Sequence, residues 1–195
     1  MSLILAMFMF ALTMSISPGP VNMVIISSGA NHGFRKTLPF VSGATIGFTL
    51  LLILVGFGFY AVIESYPLFL KYLNVAGSAF IIFVGYKIAS SQPELSLKKT
   101  DTPGFVQGFL LQWLNPKAWI ACASGVALFS DTSTHTMLIT FIIIYISVCY
   151  ISLAAWAILG NKVSTLLSSA QRIRVFNVLM GGLLIMTACY MLSFQ

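Results

Sequence analysis

Apolar residues fill six stretches of the chain, near 3–29, 38–63, 67–89, 104–130, 136–159 and 173–194, with short polar breaks between them. A helix needs about 20 apolar residues to cross the hydrocarbon core of a bilayer. The pattern therefore predicts an all-α integral membrane protein with six transmembrane helices. Spans one and four are longer than crossing requires, and each is interrupted inside its apolar run. The interruptions are Ser17-Pro18-Gly19-Pro20-Val21-Asn22 and Asn115-Pro116-Lys117. Proline lacks a backbone N–H and clashes with the carbonyl four residues back, so neither span is expected to be one smooth helix. In lipid, the freed backbone groups have to be met inside the protein or at a water-lined cavity. The two breaks fall in corresponding positions of the two halves, the pattern expected where a repeat-built secondary transporter binds its substrate.

Ser90–Pro103 is the one sustained polar stretch and reads as a linker between two three-helix halves, 1–89 and 104–195, within one membrane domain. Three is odd, so such halves would lie in the membrane with opposite orientation, as inverted repeats. A faint internal similarity agrees: Leu73-Asn74-Val75, Gly77 and Tyr86 of span three have counterparts in Phe176-Asn177-Val178, Gly181 and Tyr190 of span six. In span two, Gly43 and Gly47 have the spacing that lets helix backbones approach closely. Packing within the monomer is the favoured reading of that pair, with a homo-oligomer seam left open.

Composition and charge sharpen this picture. Hydrophobic residues make up 58% and charged residues 7% of 195 positions, with a mean hydropathy of +0.98. Soluble domains carry about 25% charged residues. The net charge of +6 does not point to nucleic acid, because the basic residues are scattered singly and form no stripe. Eight of the ten Lys and Arg residues fall between or beside the spans on one predicted side: Arg35, Lys36, Lys87, Lys98, Lys99, Lys162, Arg172 and Arg174. The positive-inside rule makes that side cytoplasmic and puts both termini outside, in the periplasm for a bacterial inner membrane. Residues 1–16 have no basic n-region and no clean cleavage site, so they are expected to stay as the first span rather than leave as a signal peptide.

Lys117 is the tenth basic residue and the exception. It lies 13 residues beyond Gly104, about 20 Å along a helix and past the midplane. A charge at that depth costs at least about 2.5–3.5 kcal/mol on insertion scales and usually serves a cavity. The alternative is a shallow break with the amine snorkelling to an interface. A cation there could hold a carboxylate, or alternate between a carboxylate and a proton. At the first break, Pro20 suits the first turn of a new helix, and Gly19 permits an unusual backbone angle. A half-helix starting there would aim its N–H groups and positive dipole end into the protein, with Ser17 and Asn22 adding a hydroxyl and an amide. A plain proline kink is the alternative for one break, but two in matching places argue for a site. Gln112 and Asn115 precede Pro116, and Asn115 is placed to cap the second half-helix. The candidate substrate-binding set is Ser17, Pro18, Gly19, Pro20, Asn22, Gln112, Asn115, Pro116 and Lys117.

Other polar residues carry less. Asn74 and Asn177 are expected to bond neighbouring helices, and Thr45, Thr49, Ser124, Tyr145 and Tyr150 to pack, although they could line a path. Cys122, Cys149 and Cys189 lie in apolar segments without CxxC spacing, as small packing residues rather than a disulfide or zinc set. His32 and His135 lack partners at ligand spacing, so no metal is implied. Glu64, Glu94, Asp101 and Asp131 all fall in loops or at span ends, which argues against a cation relay built on buried acids. No P-loop, GxSxG or HExxH motif is present, and neither an enzyme nor a cofactor is implied.

With Pro18-Gly19-Pro20-Val21-Asn22, His32-Gly33-Phe34-Arg35 and Asn115-Pro116-Lys117-Ala118, the chain resembles the LysE/RhtB family of amino-acid exporters over essentially its whole length. Within that family it is most similar to the branch exporting cysteine and O-acetylserine. The resemblance implies a bacterial inner-membrane secondary transporter that exports small amino acids or derivatives such as cysteine, O-acetylserine, homoserine or threonine, driven by the proton gradient. Its partners would be that substrate and the lipid bilayer. A small channel or a structural membrane subunit, using the breaks only for packing, is the competing reading, and a lipid- or vitamin-processing membrane enzyme a weaker third.

Overall fold

The computed structural model of the chain describes residues 3–59, 67–90, 102–130, 135–166 and 169–193. Among them it is all helix, without a strand. Helices α1 (Leu3–Ile16) and α2 (Pro20–His32) meet at an angle of 60° across the first proline break. Helix α3 (Phe34–Leu54) follows after one residue and ends in a wider π-type turn over Val55–Phe59. Then come α4 (Pro67–Ser90), α5 (Phe105–Trp113), α6 (Pro116–Phe129), α7 (Thr136–Leu166) and α8 (Ala170–Ser193). Four of these helices or their extensions are long and apolar enough to cross a membrane, five spans if the bent α1–α2 pair is one. Residues 60–63 of predicted span two, most of the linker and all four carboxylates lie outside the described residues.

Both expected breaks are present, and each starts a new helix at a proline in its first turn. The ends differ from the hydropathy pattern. Helix α3 begins at Phe34, because Gly33, with φ +84, turns the chain between α2 and α3 in one residue. Only glycine adopts that angle readily. Helix α7 continues through Asn161 and Lys162 to Leu166. Arg35, Lys36 and Lys162 therefore sit on exposed helix ends rather than in loops, since a helix can continue into the interface where long cationic side chains reach water. These ends lie together: Phe34 N–H donates to Asn161 Oδ1 (3.3 Å), and the Asn31 and Asn177 amides exchange hydrogen bonds (2.8 and 3.3 Å).

Three tight helix seams hold the bundle, and each joins a helix before the polar stretch to one after it. In α3 against α5, Gly43 faces the Phe105 carbonyl and Gly108 faces that of Phe40. In α2 against α7, Gly29 and Gly160 meet the backbone at Ala157 and Ile26. In α4 against α8, Gly85 and Gly181 face one another. Membrane helices gain little from burying apolar surface against each other rather than lipid, so close backbone contact carries the packing. The Gly43 and Gly47 pair thus packs within the monomer, as expected. Large apolar side chains such as Leu128, Ile143, Ile151 and Met186 are exposed on the outside, the surface a lipid-facing protein presents.

Candidate functional site

The two breaks come together at mid-bundle, and Lys117 joins them. Its Nζ donates to the Ser17 carbonyl (2.9 Å) and Ser17 Oγ (2.7 Å), with the Pro18 carbonyl at 3.4 Å. Ser17 Oγ passes the bond on to the Met14 carbonyl (3.2 Å). The amine of the second break therefore sits on the C-terminal carbonyls that the first break leaves unmet, where the α1 dipole is negative. This differs from an ammonium standing free for a ligand. Hydropathy located the charge but not the carbonyl cradle one helix away. Lys117 is half-buried on the cavity wall.

The N-termini of the two half-helices are finished differently. Asn115 caps α6 as expected: its Oδ1 accepts from Lys117 N–H (3.1 Å), and its carbonyl accepts from Ala118 N–H (2.9 Å). Replacing Asn115 with Ala should cost about 1 kcal/mol, read as a lower thermal midpoint of the purified protein. At α2, the capping position is Gly19, with no side chain to offer. Pro20 has no N–H, and Met23 N–H is bonded to the Gly19 carbonyl (3.0 Å). The N–H groups of Val21 and Asn22 remain at the positive end of the α2 dipole, beside Lys117. The Asn22 side chain turns back, Nδ2 donating to the Ser15 carbonyl (3.0 Å), and so ties α2 to the end of α1.

Gly19 is needed for space rather than for an unusual angle. Its φ and ψ of −171° and 177° are extended backbone open to any residue, which corrects the sequence expectation. A Cβ there would lie 3.3 Å from Lys117 Nζ. The amine would have to give by a few tenths of an ångström, so Gly19→Ala should loosen its hold on the carbonyls and weaken transport, measured as initial flux per folded protein.

A cavity opens between these elements, with about 390 Å³ of empty space that includes open solvent at its mouth. Of the expected set, Gly19, Asn22, Gln112, Asn115 and Lys117 line it. Pro20 and Pro116 are buried beside it as first residues of their helices, Ser17 serves it through Lys117, and Pro18 is exposed. Its lining also holds residues the sequence reading had assigned to packing or passed over: Ser15, Phe48, Tyr145 and Cys149. Tyr145 and Cys149 are one helical turn apart, a polar stripe on an otherwise apolar span that could have marked them. Tyr145 stacks on Phe48 (4.4 Å between centroids) and joins an aromatic cluster with Phe10, Phe129 and Phe141. Along α7 this cluster lies on one side of the cavity, and the Gly160 and Asn161 contacts on the other. Ser15 Oγ and Thr45 Oγ1 are buried without a hydrogen-bond partner, which costs about 1–3 kcal/mol for each such group. Asn74 and Asn177 bond neighbouring helices, as expected, through the Met191 carbonyl (2.8 Å) and Asn31.

Broken apolar helices whose ends converge on a cavity fit the class of multi-pass transport proteins, and comparison with known proteins gives the family. A family model described as LysE type translocator matches residues 12–194, so the chain belongs to that family and is not an enzyme. It is 28% identical to the cysteine/O-acetylserine efflux protein of Escherichia coli O1:K1 / APEC, with 96% of each chain covered. The protein of the same name in Klebsiella pneumoniae is 25% identical, with 82% of this chain and 83% of that one covered. No solved structure matches.

Proposed function

We propose that this protein exports small neutral amino acids or their derivatives from the bacterial cytoplasm by alternating access around the cavity between the two breaks. Cysteine, O-acetylserine, homoserine and threonine are the substrates to try first, and a proton is the coupled ion. The observation that carries this reading is the Lys117 bridge, which brings the uncapped start of α2 and a cation to one cavity wall. The substrate carboxylate lies at the Val21 and Asn22 N–H groups, within the field of the Lys117 ammonium. Its amino group faces the carbonyl and amide oxygens of Gln112 and Asn115. The names of the efflux relatives support an amino-acid cargo.

In this reading α5 and α6 together make the remaining span. The chain then has six spans as two inverted three-helix repeats, 1–89 and 104–195, joined by a linker at 90–103. The three glycine seams support interlocked halves, because each crosses between them. The gathered basic helix ends face the cytoplasm, with both termini in the periplasm. The test is counterflow: purified protein in liposomes loaded with unlabelled cysteine or O-acetylserine should accumulate the labelled compound transiently. Unsaturable flux without counterflow indicates a channel, and no flux for any amino acid a structural subunit. Either result overturns the exporter reading.

A further inference from the structure

We propose that Ser15, Tyr145 and Cys149, with Thr45 behind them, form the subsite for the side chain of the transported amino acid, and that the Ser15 hydroxyl selects a hydroxyl or thiol over a methyl group. The inference rests on the exporter reading above and adds the residues that set its selectivity.

The cavity has two chemically unlike poles, which adjoin where Asn22 Nδ2 donates to the Ser15 carbonyl (3.0 Å). One holds Lys117 and the uncapped start of α2. The other is neutral, made by Ser15 of α1 and by Tyr145 and Cys149 of α7. Ser15 is 7% exposed, Tyr145 2% and Cys149 3%, so this pole is shielded from bulk solvent.

Hydroxyls on these helices normally satisfy themselves on their own backbone. Thr37, Thr49, Thr140, Ser147 and Thr187 each donate to the carbonyl four residues back, at 2.8–3.0 Å. Ser15 and Thr45 do not. Both hydroxyls instead lie near the Cys149 thiol from two different helices, and Ser15 also near the Tyr145 phenol, but none of these approaches has hydrogen-bond geometry. The two buried hydroxyls without a partner among the described residues thus lie beside one thiol at the cavity wall. Buried hydroxyls left open in this way are matched by a ligand group that accepts or donates a hydrogen bond.

A hydroxyl or thiol meets that requirement, and a methyl group does not. A charged side chain finds no opposite charge at this pole and would be buried uncompensated. Ala118 and Ala121 of α6 and the stacked Phe48 and Tyr145 rings also line the cavity. A site built to hydrogen-bond a polar group rejects the analogue lacking it far better than an apolar pocket rejects an extra hydroxyl.

The experiment compares labelled L-cysteine with L-2-aminobutyrate, which carries a methyl in place of the thiol, in proteoliposome counterflow. The wild type should favour cysteine by more than tenfold in transport efficiency. Ser15→Ala should lower that ratio at least tenfold. Tyr145→Phe, which keeps the ring stack, should lower it several-fold and gives a reading if Ser15→Ala is poorly folded. A role in packing alone reduces both fluxes together and leaves the ratio unchanged, which overturns the subsite in whichever variant folds. A wild type that moves other amino acids without preferring cysteine over its methyl analogue also overturns the subsite, and leaves the exporter reading standing. A wild type that moves no amino acid overturns both.

Discussion

Lys117→Met should abolish counterflow, by a hundredfold or more, while most of the protein still folds. Methionine keeps an apolar stem of similar length but cannot donate to the Ser17 and Pro18 carbonyls, which are then left without their cation. Each polar group left unmet costs about 1–3 kcal/mol, so a lower thermal midpoint is expected as well. The two effects separate on comparison with Lys117→Arg. Arginine keeps the charge but presents a planar fork in place of a compact ammonium, which the pair of carbonyls and the hydroxyl at 2.7–3.4 Å do not match. It should recover thermal stability more than transport. If either variant transports at the wild-type rate per folded molecule, Lys117 is not part of the site. If transport falls only in step with folded protein, the amine is a structural clamp and nothing more.

That bridge marks how far the sequence was readable. The breaks and the Asn115 cap follow from local rules about proline and helix ends, and they reappear in the fold. What the amine touches depends on how span four lies against span one, and hydropathy along the chain holds no record of lateral packing. Ser15 escaped notice for the same reason, since a single serine in an apolar span has no local signal. Tyr145 and Cys149 had one in their spacing, but soft polar residues in a membrane helix read first as packing. The run-on of α7 to Leu166 was missed because apolar length measures the bilayer rather than the helix. Glycine was the best guide to contact: Gly43 and Gly47 marked a seam within the monomer before the partner helix was known.

The second large effect is expected at that seam. Gly43→Val should leave little folded protein, because the atoms a Cβ would strike are the Phe105 carbonyl and its own backbone, which cannot rotate away. On the other side, Gly108 lies as close to the Phe40 carbonyl, so the two helices are held backbone to backbone at two levels. Overpacking a tight core typically costs about 1–3 kcal/mol, occasionally more, and a backbone obstacle puts this case at or above the upper end. Moving α5 outward would also pull Trp113 Nε1 from the Gly47 carbonyl (3.0 Å) and shift the start of α6, which carries Lys117. Transport per folded molecule should therefore fall further than stability alone accounts for. Gly182→Ala is the control, since a Cβ there meets nothing within 4 Å and alanine favours the helix by about 0.5–1 kcal/mol. Thermal midpoints of the detergent-purified proteins should move down by several degrees or more for Gly43→Val, and stay level or rise for Gly182→Ala. Equal midpoints for the two variants would mean that the α3–α5 contact does not hold the bundle together.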